Sequence, residues 1–162
     1  MSSLVVTPVD LSRKAHAQAL VALLDHYASG EMGGGTPLSA QAREQLPGRL
    51  LAWPTYVGFL AWDGDAAVGL INGFLGMLTF AARPLLNVHD VVVREDYRGR
   101  GVGKALLAAA EEAARARECC KLTLEVLQNN ASAYGLYTAV GYKPYELDPA
   151  MGQAMFMEKK LG

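Results

Sequence analysis

Apolar positions along the chain change period several times, and the changes divide it into strands and helices. Val5–Val9 forms a short strand, and Asp10 offers a cap for a helix from Leu11 to about Tyr27 with Leu20, Leu23, Leu24 and Tyr27 on one stripe. Thr36-Pro37 supplies a cap and first-turn proline for a second helix reaching about Leu50, which Trp53-Pro54 ends. Strands from Tyr56 to Trp62 and from Ala66 to about Thr79 flank the hairpin signal Asp63-Gly64, and a third strand covers about Val88–Val93. The helix that follows, about Val102–Arg117, gathers Leu106, Leu107, Ala110, Ala113 and Ala114 on the face that lies on the sheet and pairs Glu111 with Arg115 on the other. A strand from Cys120 to Leu127, a helix from Asn130 to Val140, and short strands near 142–146 and 155–159 complete an α/β chain with a mixed sheet.

One junction in this pattern carries more chemistry than the rest. The apolar run Val91-Val92-Val93 passes through Arg94-Glu95-Asp96-Tyr97 into Arg98-Gly99-Arg100-Gly101-Val102-Gly103-Lys104 and directly into a helix. Glycines at alternate positions let backbone N–H groups converge, and the helix start adds unpaired N–H groups and a positive dipole end, a cradle suited to a diphosphate. Spacing separates three phosphate-binding patterns. The dinucleotide fingerprint Gly-x-Gly-x-x-Gly fails on register, because Gly99, Gly101 and Gly103 are spaced by two throughout. The P-loop fails as well: too few residues separate Gly99 from Gly103, and Ala105 stands where a Ser or Thr would ligate magnesium.

What remains, Arg98-x-x-Gly101-x-Gly103, resembles the pyrophosphate loop of the GNAT superfamily of acyl-CoA-dependent N-acetyltransferases. A second segment agrees: the strand Leu122-Thr123-Leu124-Glu125-Val126, then Asn130-x-x-Ala133-x-x-Leu136-Tyr137 as a short helix, closing at Gly141-Tyr142 before Pro144. The resemblance covers about residues 55–160 and implies a mixed, mostly antiparallel central sheet flanked by helices and splayed near the acyl-CoA site. It implies acetyl-CoA as co-substrate, a backbone N–H of Val91, Val92 or Val93 for the oxyanion, and the same strand edge for the pantetheine arm. Gly99, Gly101, Val102 and Gly103 would hold the pyrophosphate, with Arg98, Arg100 and Lys104 adding charge. Asn130 would bind the CoA arm, although an asparagine that caps a helix needs no ligand.

Composition narrows the partner. At 162 residues and 51% apolar content the chain suits one domain over 1–162, and no repeat or linker divides it. A net charge of −1, with both signs interspersed, implies neither nucleic acid nor an anionic membrane and points to a small molecule as partner; the resemblance makes the expected acceptor an amine of a small molecule or peptide. No apolar run approaches the roughly 20 residues of a membrane span, and Met1-Ser2-Ser3-Leu4 lacks a signal-peptide pattern, so a cytoplasmic location is expected. Cys119 and Cys120 open a predicted buried strand and read as reduced core thiols. His16, His26 and His89 have no metal-ligand spacing, so no metal is expected. Met155 and Phe156 equally suit a dimer interface, dimers being common in the superfamily.

Acyl transfer to an amine needs a neutral amine, a stabilised oxyanion and a proton for the departing thiolate. Asp90 interrupts the apolar strand Val88–Val93, where an unpaired charge costs several kcal/mol unless it faces water, so a cleft is implied. Glu125 interrupts its own strand in the same way. Its placement ahead of Asn130 and Tyr137 resembles the ribosomal-protein N-terminal alanine acetyltransferases, which makes it the second candidate base. For both carboxylates a structural ion pair is the alternative. Tyr137 matches the superfamily tyrosine that protonates the leaving thiolate. Tyr134 reads as packing. Strand alternation predicts that His89 turns away if Asp90 faces the cleft. A non-catalytic CoA-binding or interaction module is the competing reading; Tyr137 and the two carboxylates weigh against it.

Overall fold

Five strands pair in chain order in the computed structural model, which describes residues 3–162. β1 (Leu4–Pro8), β2 (Tyr56–Asp63), β3 (Ala66–Leu78) and β4 (Arg83–Val93) run antiparallel to their neighbours, and β5 (Leu122–Leu124) joins β4 in parallel. The helices are α1 (Lys14–Ser29), α2 (Ala40–Leu51), α3 (Val102–Ala116) and α4 (Ala131–Ala139). Packing divides the chain into two compact units, one ending at Leu127 and the other spanning Gln128–Gly162. None of the described helices is long and apolar enough to cross a membrane.

In the first unit the sheet is covered on both faces. Leu20 and Leu23 of α1 and Leu50 of α2 form a buried cluster with Leu60, Leu70 and Val92. On the other face α3 buries Val102, Leu106, Leu107, Ala110, Ala113 and Ala114, the stripe its periodicity predicts, and Arg115 reaches Glu111 at 2.7 Å on the exposed side. Gly69 permits that approach: a Cβ there would lie 2.8 Å from Val102 Cγ1 and 2.9 Å from Leu106 Cδ1.

Several element ends differ from expectation, and their contacts give the reasons. Asp63 stays in β2, pairing with Ala66, so the hairpin turn is Gly64-Asp65, with Gly64 at φ +60°. Asp10 does not cap α1; its Oδ1 accepts from Ser12 N and Ser12 Oγ, closing a turn that delays the helix to Lys14. Asp25 of α1 accepts from Leu38 N at 2.9 Å and keeps that lead-in extended, so Ser39, not Thr36, caps α2 by accepting from Ala42 N. β4 begins at Arg83 because Pro84 lies near the strand start, where a missing N–H is tolerated. β5 is short: its pairing ends at Val88↔Leu124, beside a register shift in β4. Cys119 and Cys120 precede β5 as half-buried free thiols rather than opening a buried strand.

In the second unit the strands expected at 142–146 and 155–159 do not form. Ala154 N donates to Tyr145 O at 3.3 Å, and one turn forms at Pro149–Met151. A lone pair of strands is marginal without a sheet face to cover it, and Leu147, Met151, Met155, Phe156 and Met157 are exposed.

Two predictions follow from the first unit's packing. Gly69→Ala should lower stability by about 1–3 kcal/mol, because α3 must shift away from the sheet; urea unfolding with an unchanged m-value checks it. His16 is buried at 4% exposure, tilts against Trp62 with ring centres 5.3 Å apart, and accepts from Asp10 N at Nδ1 (3.0 Å). Burial, then Arg13, lowers its pKa below the usual 6.5, against a smaller opposing pull from Asp10. The unfolded chain therefore binds the proton more readily. The stability His16 confers is complete above the unfolded value and is lost as pH falls through the lowered folded one. Urea midpoints measured from about pH 7.5 down to about pH 5 should fall less steeply in His16→Asn, whose Oδ1 keeps the acceptor without titrating.

Candidate active site

β4 places two kinds of chemistry at successive points along one strand. Asn72 pairs with Asp90 but the next residue, Gly73, pairs with Val88, so His89 is an extra residue bulged out of the β3–β4 ladder. Such a bulge bends and twists its strand. It coincides with the last β4–β5 pair, so along His89–Val93 the edge of β4 away from β3 faces no strand. This is the expected splay.

On the sheet face that carries Leu60, Leu70 and Val92, the bulge gathers polar groups. Tyr56 Oη donates to Asn72 Oδ1 at 2.6 Å, and Asn72 Nδ2 donates to Asp90 Oδ2 at 3.1 Å. Asn72 is 2% exposed, whereas Asp90 is half-buried. Burial, and then the Asp90 charge, push the Tyr56 hydroxyl far above its usual range, so it remains a donor. Phe74 lies 5.8 Å from the Tyr56 ring and 5.8 Å, edge-on, from the His89 ring. His89 thus shares the face with Asp90. The alternation rule fails at this point because the inserted residue breaks the period of two.

Glu125 lies one residue past β5 rather than inside a strand, exposed, with no side-chain hydrogen bond or ion pair among the described residues. Asn87 Nδ2 donates to Thr123 Oγ1 at 2.9 Å, which places Thr123 on the face of Asn87 and of its partner Phe74. Asn72 and Tyr56 escaped the sequence reading. The signal was present for Asn72, a lone amide inside the apolar run Val68–Leu75, as Asp90 is a lone carboxylate inside its own.

Beyond Val93, Arg94 N donates to Val68 O at 2.9 Å and the chain makes one turn at Glu95–Tyr97. Tyr97 Oη donates to Asp63 Oδ2 at 2.6 Å, tying the turn to the end of β2, and this bond raises the Tyr97 pKa. The guanidinium groups of Arg94 and Arg100 lie 5.2 and 4.9 Å from the Tyr97 ring centre. Arg94 also pairs with Asp96 at 2.7 Å. Gly99 and Gly101 have φ +74° and +84°. Gly101 is the cap residue of α3 and offers no side chain to the first turn, so the N–H groups of Val102, Gly103 and Lys104 are left to an outside acceptor. Val102 and Gly103 are buried, while Arg98, Arg100 and Lys104 are exposed.

The second unit holds the other expected residues. Asn130 Oδ1 accepts from Ala133 N at 3.2 Å and caps α4. Tyr137 is buried at 9% exposure, with the Tyr142 ring 6.1 Å away and edge-on. Tyr134, expected to pack, is 43% exposed. No group of three or more His, Cys, Asp or Glu able to hold a metal occurs among the described residues.

Against this geometry, the acetyltransferase (GNAT) family matches residues 35–142. The chain belongs to that family. It is 34% identical over 96 residues to streptothricin acetyltransferase of Streptomyces lavendulae, covering 59% of this chain and 48% of that protein. It therefore spans about half the length of that relative. A Bacillus subtilis (strain 168) protein, provisionally named a ribosomal protein bS18-alanine N-acetyltransferase, is 32% identical over 121 residues, 75% of each chain. The fold is shared with the aminoglycoside acetyltransferase AAC(6')-Iy bound to a CoA-S-monomethyl-acetylneamine bisubstrate analogue (TM-score 0.78, 17% identity, 98% of this chain and 99% of that one). It is also shared with the aminoglycoside acetyltransferase meta-AAC0020 in complex with sisomicin (TM-score 0.80, 16% identity, 98% and 97%).

Gly101→Ala should cost about 1–2 kcal/mol even though nothing lies within 4 Å of the new Cβ, because an L-residue is held at positive φ. Thermal unfolding checks this, and a change at Gly76, which has a negative φ and van der Waals neighbours only, serves as the comparison.

Proposed function

We propose that the protein, as one acetyltransferase domain over 1–162, transfers an acetyl group from acetyl-CoA to a primary amine of a small molecule or peptide by direct attack. The observation that carries this reading is the start of α3, where a glycine cap at φ +84° leaves backbone donors without a side-chain partner immediately after a strand bearing a half-buried carboxylate. An N–H cradle without a cap suits the pyrophosphate of CoA, and Arg98 and Lys104 stand beside it. The unpaired edge of β4 suits the pantetheine amides, which would add to it as a further strand. Related proteins named for streptothricin and thialysine, and structures with aminoglycosides, support an amine as acceptor.

The chemistry follows from the protonation problem. With a pKa of about 10.4, only about one amine in a few thousand is neutral at pH 7. A carboxylate, Asp90 or Glu125, takes the proton directly or through water. The amine nitrogen then bonds to the thioester carbon. A backbone N–H of Val91–Val93 holds the resulting oxyanion. As the C–S bond breaks, the sulfur leaves with the electron pair and takes a proton from Tyr137. Asn130, which caps α4 through Oδ1, presents its amide N–H groups to the CoA arm. No enzyme nucleophile is involved, and neither cysteine has a setting that activates it.

Calorimetric titration with acetyl-CoA should give micromolar binding that Gly101→Val abolishes. A folded protein that binds none would overturn the reading in favour of an interaction module. Tyr137→Phe should lower turnover by about 10²-fold or more with CoA affinity unchanged; an unchanged rate removes the assignment of the acid. Glu125→Gln and Asp90→Asn, followed across pH, should show the base as the variant whose defect is largest where the amine is protonated.

A further inference from the structure

We propose that Asn72, locked by Tyr56, is the residue that positions Asp90 for proton abstraction. The inference rests on the reading of the protein as an amine acetyltransferase with Asp90 as its base, and it assigns a role to two residues outside the family's sequence motifs.

An asparagine at 2% exposure in a strand otherwise built of apolar and glycine residues is costly unless both ends of its amide are bonded. Both are. The oxygen accepts from Tyr56 Oη at 2.6 Å, which holds the amide in place, and only this orientation satisfies both ends, because a flipped Asn72 would set its oxygen against the Asp90 carboxylate, itself an acceptor. The nitrogen is therefore directed at Asp90 Oδ2, 3.1 Å away. That bond engages one carboxylate oxygen. Asp90 Oδ1 has no hydrogen-bond partner among the described residues and belongs to a half-buried side chain, so it remains for an incoming ammonium.

The chain of bonds depends on the register that holds up to the bulge. Asn72 and Asp90 are register partners at the last regular position before the slip, so their side chains sit side by side on one face. Tyr56 comes from β2, two strands away from Asp90, and its ring packs on Phe74. Gly58 makes room for it: a Cβ at residue 58 would lie 2.1 Å from Tyr56 Oη. A purely structural asparagine in this sheet would need no carboxylate at its far end. His89, also titratable, lies in the bulge beside Asp90.

The test is a double-mutant cycle read by turnover, with acetyl-CoA affinity by calorimetry and thermal midpoint measured on every variant. Asn72→Leu keeps the volume and removes both bonds; Tyr56→Phe keeps Asn72 but unlocks its amide. Asn72→Leu should lower kcat at least tenfold and leave acetyl-CoA affinity unchanged, since Asp90 keeps its charge but loses the bond that orients it. Tyr56→Phe should do the same by a smaller factor. In an Asp90→Asn background, Asn72→Leu should cost nothing further. An equal cost in both backgrounds means that Asn72 acts through general packing, and the proposal fails while Asp90 keeps its role. Full turnover in Asp90→Asn itself overturns the assignment of the base, and this proposal with it.

Discussion

The register slip between β3 and β4 is the constraint on which the first unit's chemistry depends. One extra residue, His89, coincides with the end of pairing with β5, leaves the strand edge of residues 89–93 without a strand neighbour, and is itself turned onto the face that holds Asp90, Asn72 and Tyr56. An unbroken ladder would have continued the period of two and sent His89 to the opposite face from Asp90. The slip is tolerated because Val92, two residues on, is driven into the cluster with Leu20, Leu23, Leu50, Leu60 and Leu70. Burial of that cluster fixes which face Val92 occupies and thereby fixes the phase of everything between it and the bulge.

A second dependence links the glycine loop to the sheet. Its two positive-φ glycines would be mobile alone, yet both flanks are fastened. Tyr97 is bonded to Asp63 at the end of β2 and flanked by Arg94 and Arg100, and α3 is seated on Gly69 through Val102 and Leu106. The backbone donors at the start of α3 are therefore held in place by the packing on both sides of the loop. Arg100, whose guanidinium lies 4.9 Å from the Tyr97 ring centre, helps to shape the loop.

Legibility in the sequence followed the range of the forces involved. The helical stripe of α3, the Glu111–Arg115 pair, the Asp63-Gly64 hairpin region and the Asn130 cap of α4 arise from neighbours within a few residues, and each is present. Element ends set by distant partners were displaced: Asp25 of α1 decides where α2 begins, and the pairing limit at Val88 decides where β5 stops. Of the candidate residues, Asp90 and the glycines stand out because a charge or a run of glycines is anomalous in its own segment. Asn72 is equally anomalous, but a neutral amide announces itself less strongly than a carboxylate. Tyr56 gives no local signal, since an aromatic at a strand start is ordinary.

The sequence by itself determined the family, through residues whose backbone chemistry is local: glycines that can adopt positive φ, an uncapped helix start and the β-branched strand before them. It also determined the α/β order of elements, because periodicity is written into consecutive positions. Only the tertiary structure decided which polar groups meet. The bulge at His89, the bond from Tyr56 through Asn72 to Asp90, and the turning of His89 onto Phe74 depend on register between strands. Register is set by the summed burial of side chains far apart in the chain, and no single segment contains it.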